Sequence, residues 1–163
     1  MKLNRTFATV LSGVTLCFSL AAVAQKVIDF SGLKKTGVLL PIPNGYGGMN
    51  WGNFDYFTEL LKSGMRNVAV TDLASTAQTM SSATPNQTFQ VLGMAVVGQY
   101  NTTLTLYGYN HGSFVGSKSY RLAPILTPIL APQNWREINQ VTFVCRDSQQ
   151  KPAIYSLWSV TLE

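Results

Sequence analysis

Thr103-Leu104-Thr105-Leu106, inside a run covering residues 102–109, alternates apolar and hydroxyl side chains with a period of two. That period puts both leucines on one face of an extended chain and both threonines on the other, the pattern of a half-buried β-strand. A second run, Val141-Thr142-Phe143-Val144-Cys145, sets Val141, Phe143 and Cys145 against Thr142. Working outward from these two, strands are expected over residues 26–30, 66–71, 88–97, 102–109, 114–121, 138–146 and 153–162. In the last of them Ile154, Trp158, Val160 and Leu162 are expected on one face, with Ser156 the polar exception.

The connecting chemistry agrees. The segment 98–101 is short enough for a tight hairpin, and Asn110-His111-Gly112 supplies turn residues between two strands. Pro124, Pro128 and Pro132 punctuate a stretch that cannot form a central strand and is expected to cross between sheets. Only residues 54–62 (FDYFTELLK) suggest a turn or two of helix, ending before Gly64. The fold class expected is all-β: an antiparallel β-sandwich.

Residues 1–24 read as a secretory signal peptide. Lys2 and Arg5 make the positive n-region, residues 7–22 the apolar stretch, and Ala22-Val23-Ala24 the small-residue cleavage site. Polar Thr9, Ser12, Thr15 and Ser19 interrupt that stretch, and it is short for a bilayer-spanning helix. The expected product is residues 25–163, a single secreted domain, extracellular, with no membrane span. The precursor carries a formal charge of +5, and losing Lys2 and Arg5 makes the mature charge milder. Its basic residues are scattered, which argues against nucleic acid as a partner. Cys17 leaves with the signal, so Cys145 has no intramolecular disulfide partner and is expected in the core. Two N-glycosylation sequons, at Asn86 and Asn101, fall at expected strand edges.

The stretch 41–54, PIPNGYGGMNWGNF, carries the candidate site. Gly45, Gly47, Gly48 and Gly52 free the backbone, and Tyr46 and Trp51 stand among the amides of Asn44, Asn50 and Asn53. Exposed rings beside amides suit sugars, the ring covering a pyranose face and the amides bonding its hydroxyls. Alternatively the same loop folds its Trp and Tyr inward to plug an end of the sandwich, as the average burial of Trp favours.

Catalytic groups are sparse. His111 is the only histidine and sits in a turn; Asp55 and Glu59 would share a helix face as solvated carboxylates; one His and one mature Cys make no zinc set. Lys34-Lys35 is either a dibasic processing site or a solvated loop. No cofactor is expected.

The strand Val27-Ile28-Asp29-Phe30, the loop Ile42-Pro43-Asn44-Gly45-Tyr46-Gly47-Gly48 with Asn50-Trp51 and Asn53-Phe54, and Leu106-Tyr107-Gly108-Tyr109 together resemble a family of small secreted proteins. Its members come mainly from fungi and other filamentous microbes, with bacterial relatives. The resemblance covers most of the mature chain and implies a jelly-roll-like sandwich and an extracellular life, with no settled activity. Members tend to carry acidic residues after the first strand and near the end of the last. Here those places read Ser31-Gly32 and Leu157-Trp158-Ser159, so a structural calcium site is not expected with Asp29 alone. Three functions follow: an effector-like interaction protein at a host or cell surface; a carbohydrate-binding module for cell-wall polysaccharide, with Tyr46 and Trp51 as platform; and, more distantly, a hydrolase.

Overall fold

The computed structural model describes residues 24–61, 64–71 and 77–163. The signal-peptide reading of residues 1–24 lies, apart from Ala24, outside them. Twelve strands are described: β1 (Lys26–Asp29), β2 (Leu40–Pro41), β3 (Met49–Gly52), β4 (Phe54–Leu61), β5 (Gly64–Thr71), β6 (Gln78–Ser82), β7 (Val91–Gly98), β8 (Thr102–Asn110), β9 (Ser113–Leu122), β10 (Thr127–Leu130), β11 (Gln140–Arg146) and β12 (Tyr155–Leu162). They form two antiparallel sheets packed face to face, the all-β sandwich that the alternation implies.

The seven-stranded sheet runs β10-β7-β12-β5-β4-β2, and β1 also pairs with β12. One edge of β12 serves β7; the other is shared between β5 near its start and β1 near its end. The five-stranded sheet runs β3-β6-β11-β8-β9. Between them lie Leu104, Leu106, Val141 and Phe143 from one sheet and Val96, Leu157 and Val160 from the other, all fully buried. Cys145 shares that core.

Four expectations are corrected. Residues 54–61 form β4, not helix, hydrogen-bonded along its length to β5. Phe54 and Tyr56 are buried on alternate positions, and aromatic side chains spaced by two suit a pleated, half-buried surface. Lys62 lies outside the described residues.

The segment 98–101 is not a hairpin either. It carries the chain from β7 in one sheet to β8 in the other. Gly98 makes this corner possible, because a Cβ there would stand 2.4 Å from the Leu122 Cβ. The inward face of β12 also differs from expectation. A bulge between Leu157 and Ser159 adds one residue, so Tyr155 and Leu157 point inward before the bulge and Val160 and Leu162 after it. Trp158, the extra residue, is only half-buried, and Ile154 precedes the strand. Finally, β2, β3, β6 and β10 were not expected as strands; each is five residues or fewer.

Other expectations hold. Asn110-His111-Gly112 joins β8 to β9, with φ positive at His111 (47°) and Gly112 (80°), as a two-residue hairpin turn demands. The proline-rich stretch does cross sheets, leaving β9 and entering the edge strand β10. Its continuation drives Trp135 into the core, completely buried against Gly108 of β8.

Candidate functional site

The loop that carries the sequence candidates turns its Trp51 ring inward while its tip stays exposed. Gly45, Gly47 and Gly48 all take positive φ, and the chain closes a short 3-10 turn over β1. At Gly47 (φ 62°) a Cβ would fall 2.8 Å from Ile28 Cγ2, so the backbone approaches β1 as only glycine permits. This tight turn folds the rings inward. The Trp51 indole N–H donates to the Tyr46 carbonyl at 2.9 Å, and Trp51 is only 4% exposed. Trp51 stands edge-on to Phe30 and to Phe54, each 5.5 Å away, and Phe54 continues the chain of rings to Phe143 at 5.3 Å. These edge-to-face contacts join the two sheets through the core.

Tyr46 is half-buried. Its hydroxyl donates to the Asp29 carbonyl at 2.7 Å, and its ring stacks on Phe30 at 6.0 Å. Loss of solvent raises the phenol's pKa above 10.0; a hydrogen bond from the Gly32 backbone opposes this, and the Asp29 charge adds to it. The amides separate. Asn44 is exposed at the loop tip. Asn53, at φ 60°, spends its amide on the Ala77 carbonyl at 3.0 Å. Asn50 points out from the five-stranded sheet, its amide 3.5 Å from the Ser82 carbonyl. The five candidates therefore do not converge, and no exposed ring platform forms at Trp51.

A different surface does gather rings. Antiparallel pairing places directly opposed residues on the same face. Across the outer face of the five-stranded sheet one row reads Asn50, Ser81, Gln140, Tyr109 and Phe114. The next reads Thr79, Thr142, Tyr107 and Ser117. Phe114 is 59% exposed and lies 5.9 Å from the Tyr109 ring and 6.4 Å from the Tyr107 ring. A β-bulge between Gly108 and Tyr109 brings Phe114 opposite Tyr109. Beneath, Trp135 fills the space left by Gly108 and Gly116, so the floor under these rings is packed.

Sequence reading missed this face because its aromatics are three single residues on two strands, and only strand register brings them together. The expected alternation on β8 was the available signal: with Leu104 and Leu106 inside, Tyr107 and Tyr109 had to be outside.

The catalytic candidates are dispersed. His111 is exposed on its turn, its backbone N–H donating to Asn139 Oδ1 at 3.0 Å. Burial pushes the Cys145 thiol up to about 11, opposed by a hydrogen bond with Thr102, which leaves it protonated and unreactive at neutral pH. Asp55 is on β4, and the side chain of Glu59 lies outside the described residues. Among the described residues no three His, Cys, Asp or Glu come together. Lys34 and Lys35 are exposed, as are both sequon asparagines, Asn86 and Asn101, each in a left-handed turn conformation. Among the described residues no helix is long and apolar enough to cross a membrane.

No family model matches the chain, and no curated protein matches it. Among solved structures it is similar to a family two carbohydrate esterase from Cellvibrio japonicus, at 13% identity and a TM-score of 0.45. That likeness covers 85% of this chain and 33% of the other, so the chain spans about a third of that protein's length.

Proposed function

We propose that this protein is a non-catalytic binding domain, secreted to act effector-like at a host or cell surface, and that it binds through the outer face of its five-stranded sheet. The observation that carries the reading is the ring cluster of exposed Phe114 against half-buried Tyr107 and Tyr109, set on a packed floor. Exposed aromatics on a rigid sheet give contact area at little entropic cost, which is what a recognition surface needs. The signal-like N-terminus supports the extracellular setting. The inert thiol and the scattered carboxylates support binding over catalysis.

The test is retention of the purified protein on isolated plant, fungal and bacterial cell walls, beside Tyr107→Ser and Phe114→Ser variants. Saturable retention on at least one wall, weakened in both variants while their thermal melts are unchanged, is expected. Retention absent everywhere, or untouched by both substitutions, overturns the reading.

A further inference from the structure

The charged residues on the strands of the five-stranded sheet are all of one sign. The five strands β3, β6, β8, β9 and β11 contain no Asp or Glu, yet they carry Lys118, Arg121 and Arg146. Lys118 turns to the edge, toward the Leu130 carbonyl at 3.4 Å. The two arginines share one transverse row, Arg146 and Arg121 lying on either side of Thr103. Strand spacing puts their Cα atoms roughly 10 Å apart, and Tyr107 stands four residues further along β8, about 13 Å from that row.

Between the row and the ring lies a shallow cleft of ≈ 220 Å³ lined by Thr103, Thr105, Tyr107, Val144, Arg146 and Gln150. Thr105 Oγ1 and Ser119 Oγ, 2.9 Å apart, add a hydroxyl pair beside it. Each guanidinium is steadied by one bond, Arg146 Nη1 to the Gln150 carbonyl at 2.6 Å and Arg121 Nη2 to Asn101 Oδ1 at 2.9 Å. A guanidinium has five donors, so each keeps capacity for a ligand. The carboxylate just past the end of β11, Asp147, is turned into its own loop, its Oδ1 accepting the N–H groups of Gln149 and Lys151.

We infer that this cleft binds an acidic polysaccharide, a chain of carboxylated sugars, with Tyr107 stacked on a sugar ring and Arg146 and Arg121 paired to carboxylates. The inference rests on the binding-face reading above and names its ligand. An arginine fork matches a carboxylate in two parallel bonds, and no acidic side chain on the sheet competes for it. The hydroxyls and the Gln150 amide suit the remaining sugar oxygens. Single-stranded nucleic acid fits less well, because tracking its closely spaced phosphates takes a basic groove rather than two arginines.

The experiment is electrophoresis of the purified protein at low salt through gels containing polygalacturonate, its methyl-esterified form, neutral β-glucan, dextran sulfate or single-stranded DNA. Retardation is expected in polygalacturonate and not in the esterified or neutral polymers. Arg146→Gln and Arg121→Gln should each weaken it about tenfold, the scale of one lost charged hydrogen bond, and Tyr107→Ala should weaken it by a similar factor through lost stacking. Arg121 is exposed, so its variant carries little risk to folding. Equal retardation by the esterified or neutral polymer, or by dextran sulfate or DNA, overturns the inference, as does retardation by none. Failure here, with wall retention still lost in Tyr107→Ser and Phe114→Ser, leaves the binding face standing. Wall retention unaffected by those two substitutions removes the face itself.

Discussion

Cys145 shows how far one residue's place on a strand decides its chemistry. The alternation Val141, Phe143, Cys145 puts the thiol inside, and burial lifts its pKa from 9.0 to about 11. At pH values below both figures that shift leaves about 100-fold less thiolate than an exposed cysteine would have. Native protein at pH 8 should therefore react with a thiol reagent far more slowly than unfolded protein, and rapid stoichiometric labelling of the native form would refute the placement. The same shift sets a pH dependence. A thiol whose folded pKa is raised keeps its proton longer in the folded state, so its contribution is complete below pH 9 and lost as pH climbs toward 11. Cys145→Ala should flatten the fall in stability over that interval, read from urea midpoints at pH 8 to 11. Trp51 makes the complementary case. Its indole is enclosed by Phe30 and Phe54 and bonded to Tyr46, so Trp51→Ala should cost about 3–5 kcal/mol by denaturant titration. A loss under 1 kcal/mol would mean that the ring lies outside the core. The sequence of 41–54 allowed both fates, because a ring's exposure depends on where its loop lands. What tips it inward is the close approach of Gly47 to Ile28, a contact between residues 19 positions apart that no local pattern announces.

At the scale of elements, alternation was legible wherever a strand ran unbroken, and illegible where an extra residue shifted it. β8 and β11 keep strict period two, and their inward residues are those the pattern names. β12 breaks the period at Trp158, so a face read straight through it comes out right only after the bulge. β4 misled differently: Glu59, Leu60 and Leu61 are good helix formers, and pairing with β5 overrode them. The segment 98–101 looked like a hairpin because length alone does not say whether a turn keeps the chain in its sheet. The paired glycines of β8 and β9 offer a test at this scale. Gly108 and Gly116 lie directly opposite one another, and Trp135 occupies the room they leave. A Cβ on Gly108 would stand 2.8 Å from the indole, so Gly108→Ala should destabilise by about 1–3 kcal/mol through overpacking. It should also disturb the Tyr107 and Phe114 surface above. A neutral Gly108→Ala would show that Trp135 does not pack there.

For the molecule as a whole, the ordering of strands matters more than any one of them. Consecutive strands mostly alternate between the sheets; β4 with β5 and β8 with β9 are the sequential pairs that stay together as neighbours. The first strand closes the structure against the last, Lys26 opposite Leu162 through Asp29 opposite Ser159. Such non-local pairing makes folding slow and cooperative, since chain-closure entropy precedes the contacts that offset it. It also decides what the exposed Lys34-Lys35 pair can mean. Cleavage after Lys35 would remove β1 and, with it, Ile28, Phe30 and Leu33 from the core. Phe30 is fully buried and links Tyr46 to Trp51, so its loss would open one end of the ring chain and leave the Trp51 side uncovered. A chain beginning at Thr36 should therefore lose most of its stability, its urea midpoint falling far below that of the protein starting at Gln25, with Trp fluorescence shifted toward the exposed range even before the transition. If the shortened chain unfolds at the same midpoint as the longer one, β1 is dispensable, and dibasic processing becomes compatible with a folded product. If it does not, Lys34 and Lys35 belong to a solvated loop that the fold cannot give up, and the folded protein must keep its first strand to present the opposite sheet.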